Sequence, residues 1–222
     1  SQFLKNPLNL IQLFQVALQT GLLIHPDALR LVASNLAMVN NEFRNNPKAN
    51  SVFLDLLLNY NNPERALRHM NEVGFLGAFI PEFGRIVAMM QFNMYHSFTV
   101  DEHTIQCIRN LAEIEHGNLL EDLPIASKIL SGDVNRRILY VALLLHDVGK
   151  GLPEDHSIIG SEIAKSLAPR LGLKNEECEI VVWLIKNHLL MSDVAQKRDI
   201  TDSRTIHNFA AKVTSTAKLK LL

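Results

Sequence analysis

The chain has 222 residues, of which 47% are hydrophobic and 20% are charged. These proportions are typical of a globular chain with an ordinary buried core, arranged as one large domain or two small ones. The 22 basic residues nearly balance the 23 acidic ones, and the net charge is −1. This balance argues against a nucleic-acid partner and against electrostatic binding to an anionic membrane surface.

Neither a membrane anchor nor a disulfide framework is predicted. The longest apolar run, from Ile138 to Leu145, is far shorter than the roughly 20 residues that a bilayer-spanning helix needs. Cys107 and Cys178 lie far apart and form no CxxC pair, so a reducing compartment and a cytoplasmic location are expected. The N-terminus lacks the pattern of a signal peptide, and Ser1 in place of an initiator Met suggests a piece of a longer protein.

Helical periodicity begins at the N-terminus. Apolar residues at helical spacing predict a first helix over 7–20 and a second over 26–39, the latter with a proline in its first turn. Asn62 and Pro63 predict the start of another helix, with Asn62 as its cap and Pro63 at its first helical position. Gly74 is the predicted end of that helix.

The second half of the chain continues in helices. Thr99 and Glu102 have the spacing of a capping box, which predicts a helix from Thr99 to about Ile114. Further helices are predicted to begin near Asp202 and to cover 136–147, 157–171 and 175–188. No segment alternates with a period of two residues, so the predicted fold class is all-α.

A soft boundary is predicted around residues 90 to 95. Before it the sequence contains no cluster of metal-binding residue types, whereas seven of the nine histidines follow it. Residues 1–92 are therefore interpreted as a helical scaffold or linker region, and residues 93–222 as the unit that carries the functional site.

An apolar helix that ends in adjacent His146 and Asp147 is the central feature of the sequence. The apolar stretch buries the helix and would carry the pair into a protected interior. Imidazole and carboxylate together suit a divalent ion such as Mn²⁺, Fe²⁺ or Mg²⁺ better than a thiolate site would. Lys150, just after Gly149, is placed to meet a phosphate as a point charge. By itself, such a pair more often marks a histidine that caps a core helix beside a solvent-facing aspartate.

Three further histidines lie at predicted helix ends. His103 lies in the first turn of its helix, His156 at the start of the next predicted helix, and His188 at the end of the one after that. Helices of a bundle can bring such ends together at one interior site. A common site is therefore a more economical account than four unrelated histidines.

The order His103, His146-Asp147, His156, His188 resembles that of the HD metal-dependent phosphohydrolase superfamily. More specific motifs resemble the family of bacterial bifunctional PII uridylyltransferase/uridylyl-removing enzymes, and they lie at 94–104, 188–192 and 198–200, and upstream at 63–66 and 79–84. The resemblance covers nearly the whole chain. It implies an HD-domain helical bundle over 93–222 and hydrolysis of UMP from a uridylylated tyrosine of the PII nitrogen-signalling protein.

The resemblance also implies a set of metal ligands. His103, His146 and Asp147 would hold one divalent ion, which would be Mn²⁺, Mg²⁺ or Fe²⁺. His156 and His188 would hold a second ion or else bind the substrate phosphate as imidazolium.

Two further roles in the reaction follow from the same resemblance. Lys150 would neutralise the charge that develops on the phosphoryl oxygens. The departing tyrosinate needs little acid assistance, which His96 or His188 could supply. Both Lys150 and His96 are therefore candidate catalytic residues.

The chain departs from the family pattern at its C-terminal end. A distal Asp that normally completes an HD site is expected beyond Leu222, which would leave the HD region incomplete and weaken metal binding by the isolated piece. Asp193, Asp199 and Asp202 are candidate substitutes, although none has the expected sequence context. In the family, a nucleotidyltransferase domain precedes this region and ACT domains follow it, so these domains are expected neighbours.

Two alternative functions remain open at the level of the sequence. One is an HD hydrolase of a free nucleotide, such as a dNTP or guanosine tetraphosphate, which would call for more basic residues near the site than Lys150 alone. The other is a catalytically silent HD module that transmits a nitrogen signal between neighbouring domains. Metal binding distinguishes the silent module from the enzymes, and substrate choice distinguishes the two enzymes.

Overall fold

The computed structural model describes residues 2–90 and 98–222, and the chain is predominantly helical over both ranges. The described residues form no strand, and their β-type pairing is an isolated bridge between Met90 and Thr99. The predicted all-α fold class is confirmed.

The N-terminal part contains helices α1 to α7, which cover Asn9–Thr20, Pro26–Ala33, Asn41–Arg44, Pro47–Leu58, Glu64–Glu72, Phe75–Phe79 and Pro81–Gly84. Short 3-10 turns lie at Gln2–Lys5 and Leu36–Met38. The C-terminal part contains helices α8 to α15, which cover Val100–Glu115, Pro124–Leu130, Arg136–Leu145, His156–Arg170, Asn175–Asn187, Leu190–Lys197, Ser203–Val213 and Thr216–Leu221.

Two of the predicted helix caps are wrong in detail. Thr99 does precede α8, but its side chain makes no capping hydrogen bond, and Glu102 is instead bound by Arg68 of α5. Pro63 occupies the N-cap position of α5 rather than its first helical position, while Asn62 Oδ1 accepts a hydrogen bond from the Glu64 amide at 3.0 Å. The helix starts were therefore located correctly, but different side chains stabilise them.

An aromatic cluster forms the centre of the N-terminal part. Phe14, Phe43, Phe53, Phe75 and Phe79 are all buried, and neighbouring rings in the cluster have centroids 5.2 to 6.2 Å apart. Helices α1, α4 and α6 supply four of these side chains and α3 supplies Phe43, while α5 packs against α1 and α6. Tilted and edge-to-face contacts of this kind add stabilisation beyond the burial of apolar area.

Helix α10 is the central element of the C-terminal part. Most of its residues are buried, and it packs against α8 and α12, while α11 packs along α12. Helix α5 also packs against α8, and α4 against α10, so buried side chains from both parts form one continuous hydrophobic core. The boundary near residue 92 stays a prediction about the organisation of the sequence.

The last three helices are less firmly attached to this core. Helix α13 has no buried residue and α14 buries Val213, whereas Leu221 and Leu222 pack back against the core. Lys218 lies over the ring of Trp183, with its Nζ 4.9 Å from the ring centroid. Among the helices of the described ranges, none has the length and apolarity needed to span a membrane.

Candidate metal centre

Four helices bring their ends together around one aspartate. Helix α10 ends at Leu145, and the turn that follows it carries His146, Asp147 and Lys150. The first turn of α8 contributes His103, the first residue of α11 is His156, and His188 lies directly after α12. The convergence expected from the sequence is therefore present for His103, Lys150, His156 and His188 as well as for the His146-Asp147 pair.

Asp147 lies at the centre of the cluster and is almost completely buried, with 1% of its surface exposed. Its Oδ2 is 3.2 Å from Nε2 of His146 and 4.0 Å from Nε2 of His103. Its Oδ1 is 3.8 Å from Nε2 of His156 and 3.9 Å from Nε2 of His188. Each carboxylate oxygen therefore faces a different pair of imidazoles.

This arrangement forms two groups that could hold a metal ion and that share Asp147. One group is His103, His146 and Asp147, and the other is Asp147, His156 and His188, with the ligand atoms of each group within 4.8 Å of one another. Ligands about 2.1 Å from one ion lie roughly 3 to 4 Å apart, so the measured separations between oxygen and nitrogen suit such an ion. Imidazole and carboxylate are also a donor set that divalent ions accept.

Backbone carbonyls fix which ring nitrogen is available in two of the histidines. Nδ1 of His146 lies 2.7 Å from the carbonyl oxygen of Leu143, and Nδ1 of His188 lies 2.7 Å from that of Ile185. Because a carbonyl oxygen only accepts, Nδ1 must carry the proton in each pair. Nε2 of each ring therefore faces Asp147, and it is the nitrogen that would bind an ion, as in metal-binding histidines.

The electrostatics of the cluster favour an ionised Asp147 and a neutral His188. Burial by itself would raise the pKa of Asp147, but the hydrogen bond and charge of His146 and of Lys150 outweigh it and hold this pKa well below its usual range. Lys150 Nζ lies 2.7 Å from Asp147 Oδ2. Burial lowers the pKa of His188, and the bond to Ile185 only partly opposes this effect. A neutral His188 suits a metal ligand better than an imidazolium that binds phosphate.

Two glycines that the sequence interpretation did not assign to the site bring the turn and α11 into contact. A Cβ atom at Gly149 would lie 2.3 Å from the carbonyl oxygen of His156 and 2.8 Å from the amide nitrogen of Gly160. At Gly160, a Cβ atom would lie 3.2 Å from Cγ2 of Ile185. The backbone that carries Asp147 thus rests directly on the backbone of α11, which only glycine permits at position 149.

Cys107 is a further neighbour that the sequence interpretation did not place at the site. Its Sγ lies 3.6 Å from Nε2 of His103, one helical turn earlier on α8. Burial, assisted by the negative charge of Asp147, raises the pKa of this thiol to about 11. Cys107 is therefore a protonated thiol at neutral pH, which is a poor metal ligand.

The remaining candidates lie outside the cluster. His96 falls outside the described residues. Asp193 pairs with Lys197, and Asp199 binds the hydroxyl of Thr201. Asp202 caps α14 through a hydrogen bond from the amide of Arg204. Over residues 2–90 and 98–222, none of these three aspartates belongs to a group that could hold a metal.

Comparison with known families agrees with this fold. The profile of the HD domain matches residues 100–214, which is more than half of the chain and includes every histidine of the cluster. The chain therefore belongs to the HD-domain family. A second profile, described as the third domain of the uridylyltransferase GlnD, matches residues 1–79.

Among curated proteins, the chain is similar to bifunctional uridylyltransferase/uridylyl-removing enzymes. It is 63% identical over 220 residues to the enzyme of Ruegeria pomeroyi and 62% identical over 220 residues to that of Cereibacter sphaeroides. Each alignment covers 99% of this chain and 24% of the relative. The chain thus spans about a quarter of the length of these relatives.

Proposed function

We propose that this chain is a metal-dependent phosphohydrolase that removes UMP from a uridylylated tyrosine of the PII protein, as part of a longer uridylyltransferase/uridylyl-removing enzyme. The observation that carries the proposal is the buried Asp147 with the Nε2 atoms of four histidines within 4.0 Å. The names and the 62–63% identity of the relatives support the choice of reaction.

The two ligand groups would hold one or two divalent ions. His103, His146 and Asp147 would bind one ion, and Asp147, His156 and His188 would bind the other. Mn²⁺ and Mg²⁺ are the proposed ions, with Fe²⁺ as a further candidate, because carboxylate and imidazole ligands accept all three. When bound, such an ion supplies Lewis-acid activation of the phosphoryl group and of water.

Lys150 is proposed to bind the substrate phosphate. Its ammonium group carries three donor hydrogens, and the bond to Asp147 Oδ2 uses one of them. The side chain is 18% exposed, so the other donors can reach a phosphoryl oxygen that approaches from solvent. A cation at this position would stabilise the negative charge that grows on the phosphoryl oxygens during the reaction.

The tyrosinate leaving group needs little protonation by a general acid. Tyrosine has a pKa of about 10, so tyrosinate departs from phosphorus with little acid assistance. His188 is poorly suited as the donor, because its one ring proton is engaged by the carbonyl of Ile185. His96 remains the proposed proton donor from the sequence.

The partners and the cellular compartment of the reaction are part of the same proposal. The partners would be PII and the neighbouring nucleotidyltransferase and ACT domains of a longer chain, in the cytoplasm. The free thiols of Cys107 and Cys178 support a reducing compartment.

Release of UMP from uridylylated PII in the presence of Mn²⁺ tests the proposal. The assay compares this chain, a form extended beyond Leu222, and His146→Ala and His116→Ala variants of the extended form. His116 is the matched control, since its Nδ1 also contacts a backbone carbonyl, that of Ala112, but it is not in either ligand group. We expect His146→Ala to reduce release at least about a hundredfold and His116→Ala to leave it unchanged.

Two outcomes would contradict the proposal. Undiminished release by His146→Ala would place the reaction elsewhere. No release by the extended, metal-loaded protein would exclude this substrate, and the same assay with dNTPs and guanosine tetraphosphate would then test the free-nucleotide alternative.

A further inference from the structure

We propose that helix α5 of the N-terminal part positions His103 for metal binding, with Arg68 and Asn71 as the positioning residues. This inference rests on the proposed metal site at His103, His146 and Asp147. It assigns to the N-terminal part a direct role in the geometry of that site.

The first contact between α5 and the first turn of α8 is made through Asp101. This residue lies two positions before His103 and is buried, with 6% of its surface exposed. Asn71 Nδ2 donates a hydrogen bond to its Oδ2 at 2.8 Å, and the backbone amide of Ala88 donates to its Oδ1 at 3.2 Å. Both oxygens of a buried carboxylate are thus held by groups from the N-terminal part.

The second contact is made through Glu102, which directly precedes His103. Nη1 of Arg68 donates to both carboxylate oxygens of Glu102, at 2.8 and 2.6 Å. Nη2 of Arg68 donates to Glu64 Oε1 at 2.8 Å, one turn earlier on α5. Because Glu64 holds the guanidinium in place, Arg68 is a fixed support for Glu102 rather than a mobile surface charge.

The position of His103 makes it sensitive to these contacts. Its backbone amide donates the first hydrogen bond of α8, to the carbonyl oxygen of Thr99 at 2.8 Å. Terminal turns of helices fray unless they are held by neighbouring groups. The separation between His103 Nε2 and Asp147 Oδ2 is 4.0 Å, and ligand distances to a bound ion must be met within about 0.2 Å. A small movement of this turn would therefore weaken the first ligand group.

The opposite end of α8 supplies a matched control. Arg136 forms an ion pair with Glu115, the last residue of α8, and its Nη2 donates to the carbonyl oxygen of Leu58 at 2.7 Å. This network also ties α8 to its surroundings through a partly buried arginine. Glu115 is twelve residues beyond His103, which is about 18 Å along the helix.

Manganese titration of the form extended beyond Leu222, as the wild type and as Arg68→Met, Arg68→Lys and Arg136→Met variants, tests the inference. Electron paramagnetic resonance reports free Mn²⁺, and thermal unfolding without metal reports stability. We expect Arg68→Met to weaken Mn²⁺ binding about tenfold and Arg68→Lys to recover part of the loss. Arg136→Met should lower the Tm by about as much as Arg68→Met does, but it should keep Mn²⁺ affinity within about twofold of the wild type.

The outcomes separate this inference from the function on which it rests. Equal Mn²⁺ affinity in Arg68→Met and the wild type overturns the positioning role alone, as does an equal loss in both arginine-to-methionine variants. No Mn²⁺ binding by the wild-type form extended beyond Leu222 overturns the metal site itself. If Arg68→Met does not fold, Asn71→Leu carries the same test, because it removes the side-chain donor to Asp101 and leaves the Arg68 network intact.

Discussion

Replacement of Gly149 by alanine tests how closely the turn after α10 must approach α11. The new Cβ would lie 2.3 Å from the carbonyl oxygen of His156 and 2.8 Å from the amide nitrogen of Gly160. Both atoms belong to the backbone, so rotation of a side chain cannot relieve the overlap. An ordinary contact needs at least about 3.4 Å, and the turn and the helix must therefore separate by roughly 1 Å.

This displacement sets the expected magnitudes. Overpacking of a tight interior costs about 1–3 kcal/mol, and the upper half of that range is expected where backbone must move. For a chain of this size, about 2–3 kcal/mol lowers the Tm by roughly 5–10 °C. The same movement would increase the distance between Asp147 Oδ1 and His156 Nε2, which is 3.8 Å in the wild type. Because ligand distances tolerate only about 0.2 Å, the second ligand group should lose Mn²⁺ affinity at least about tenfold.

Thermal unfolding without metal and Mn²⁺ titration measure the two effects separately. Gly77→Ala is the matched control, since its Cβ would lie 2.9 Å from Cα of Gly84, another backbone atom, in the N-terminal part. It should lower the Tm without weakening Mn²⁺ binding. Wild-type stability and Mn²⁺ affinity in Gly149→Ala would contradict the close approach of the turn to α11, and an equal loss of affinity in Gly77→Ala would contradict its local effect on the site.

Three further predictions concern individual carboxyl and thiol groups. Asp147→Asn should abolish the rise in Tm that Mn²⁺ produces in the wild type, measured by scanning fluorimetry, because both ligand groups lose their shared carboxylate. Burial by itself would raise the pKa of Asp55, but hydrogen bonds, of which the one from Asn59 has the largest effect, lower this pKa overall. The ionised carboxylate therefore stabilises the fold above its unfolded pKa of about 3.9, and this stabilisation is lost as the pH falls through the lower folded pKa. Asp55→Asn should reduce the free energy of unfolding in urea by about 1.5 kcal/mol at pH 7. This reduction should become smaller below pH 4. Cys107, with its pKa raised by burial to about 11, should react with iodoacetamide at pH 8 about a hundredfold more slowly than an ordinary thiol, as followed by mass spectrometry.

An exposed aspartate provides the control for the two aspartate substitutions. Asp193, half of whose side chain is exposed, pairs with Lys197, and Asp193→Asn should change neither the Mn²⁺ response nor the stability by more than about 0.5 kcal/mol. A Tm rise with Mn²⁺ in Asp147→Asn would show that the ion binds elsewhere. A pH-independent cost of Asp55→Asn would mean that its hydrogen bonds do not depend on the charge. Native Cys107 that reacts as fast as in urea would contradict its burial.

Much of the helical structure could be predicted from the sequence, because amphipathic helices leave a periodic pattern. The helices expected over 7–20, 136–147, 157–171 and 175–188 correspond within one or two residues to α1, α10, α11 and α12. The predicted second helix was too long, because the chain leaves α2 at Ala33 and forms a 3-10 turn before Val39.

Two of the helices that were not predicted, α4 and α13, were missed for different reasons. Helix α4, at Pro47–Leu58, carries a recognisable start, since Asn46 accepts hydrogen bonds from the amides of Lys48 and Ala49. It was overlooked because it is buried on several sides and shows no clean apolar stripe. Helix α13 covers only eight residues, and helical periodicity is recognised over windows of about 11 residues or more.

The candidate site was predictable as a set of residues but not as a set of contacts. Histidines at successive helix ends, together with the family resemblance, indicated the residues that lie around Asp147. The support that Arg68 gives to Glu102 joins residues 34 positions apart, and nothing in the local sequence predicts it. The contact of Gly149 with α11 likewise depends on how two backbones meet, which residue types alone do not specify.

The uninterrupted core between the two parts has a consequence for how chains of this kind can diverge. Family profiles divide the chain into residues 1–79 and 100–214, yet α5 packs on α8 and α4 packs on α10. Close-packed side chains tolerate little change in volume. A substitution in α4 or α5 at this interface therefore favours a compensating substitution in α8 or α10. The two segments should therefore be inherited as a single unit, and recombination between distant lineages within the chain should be rare.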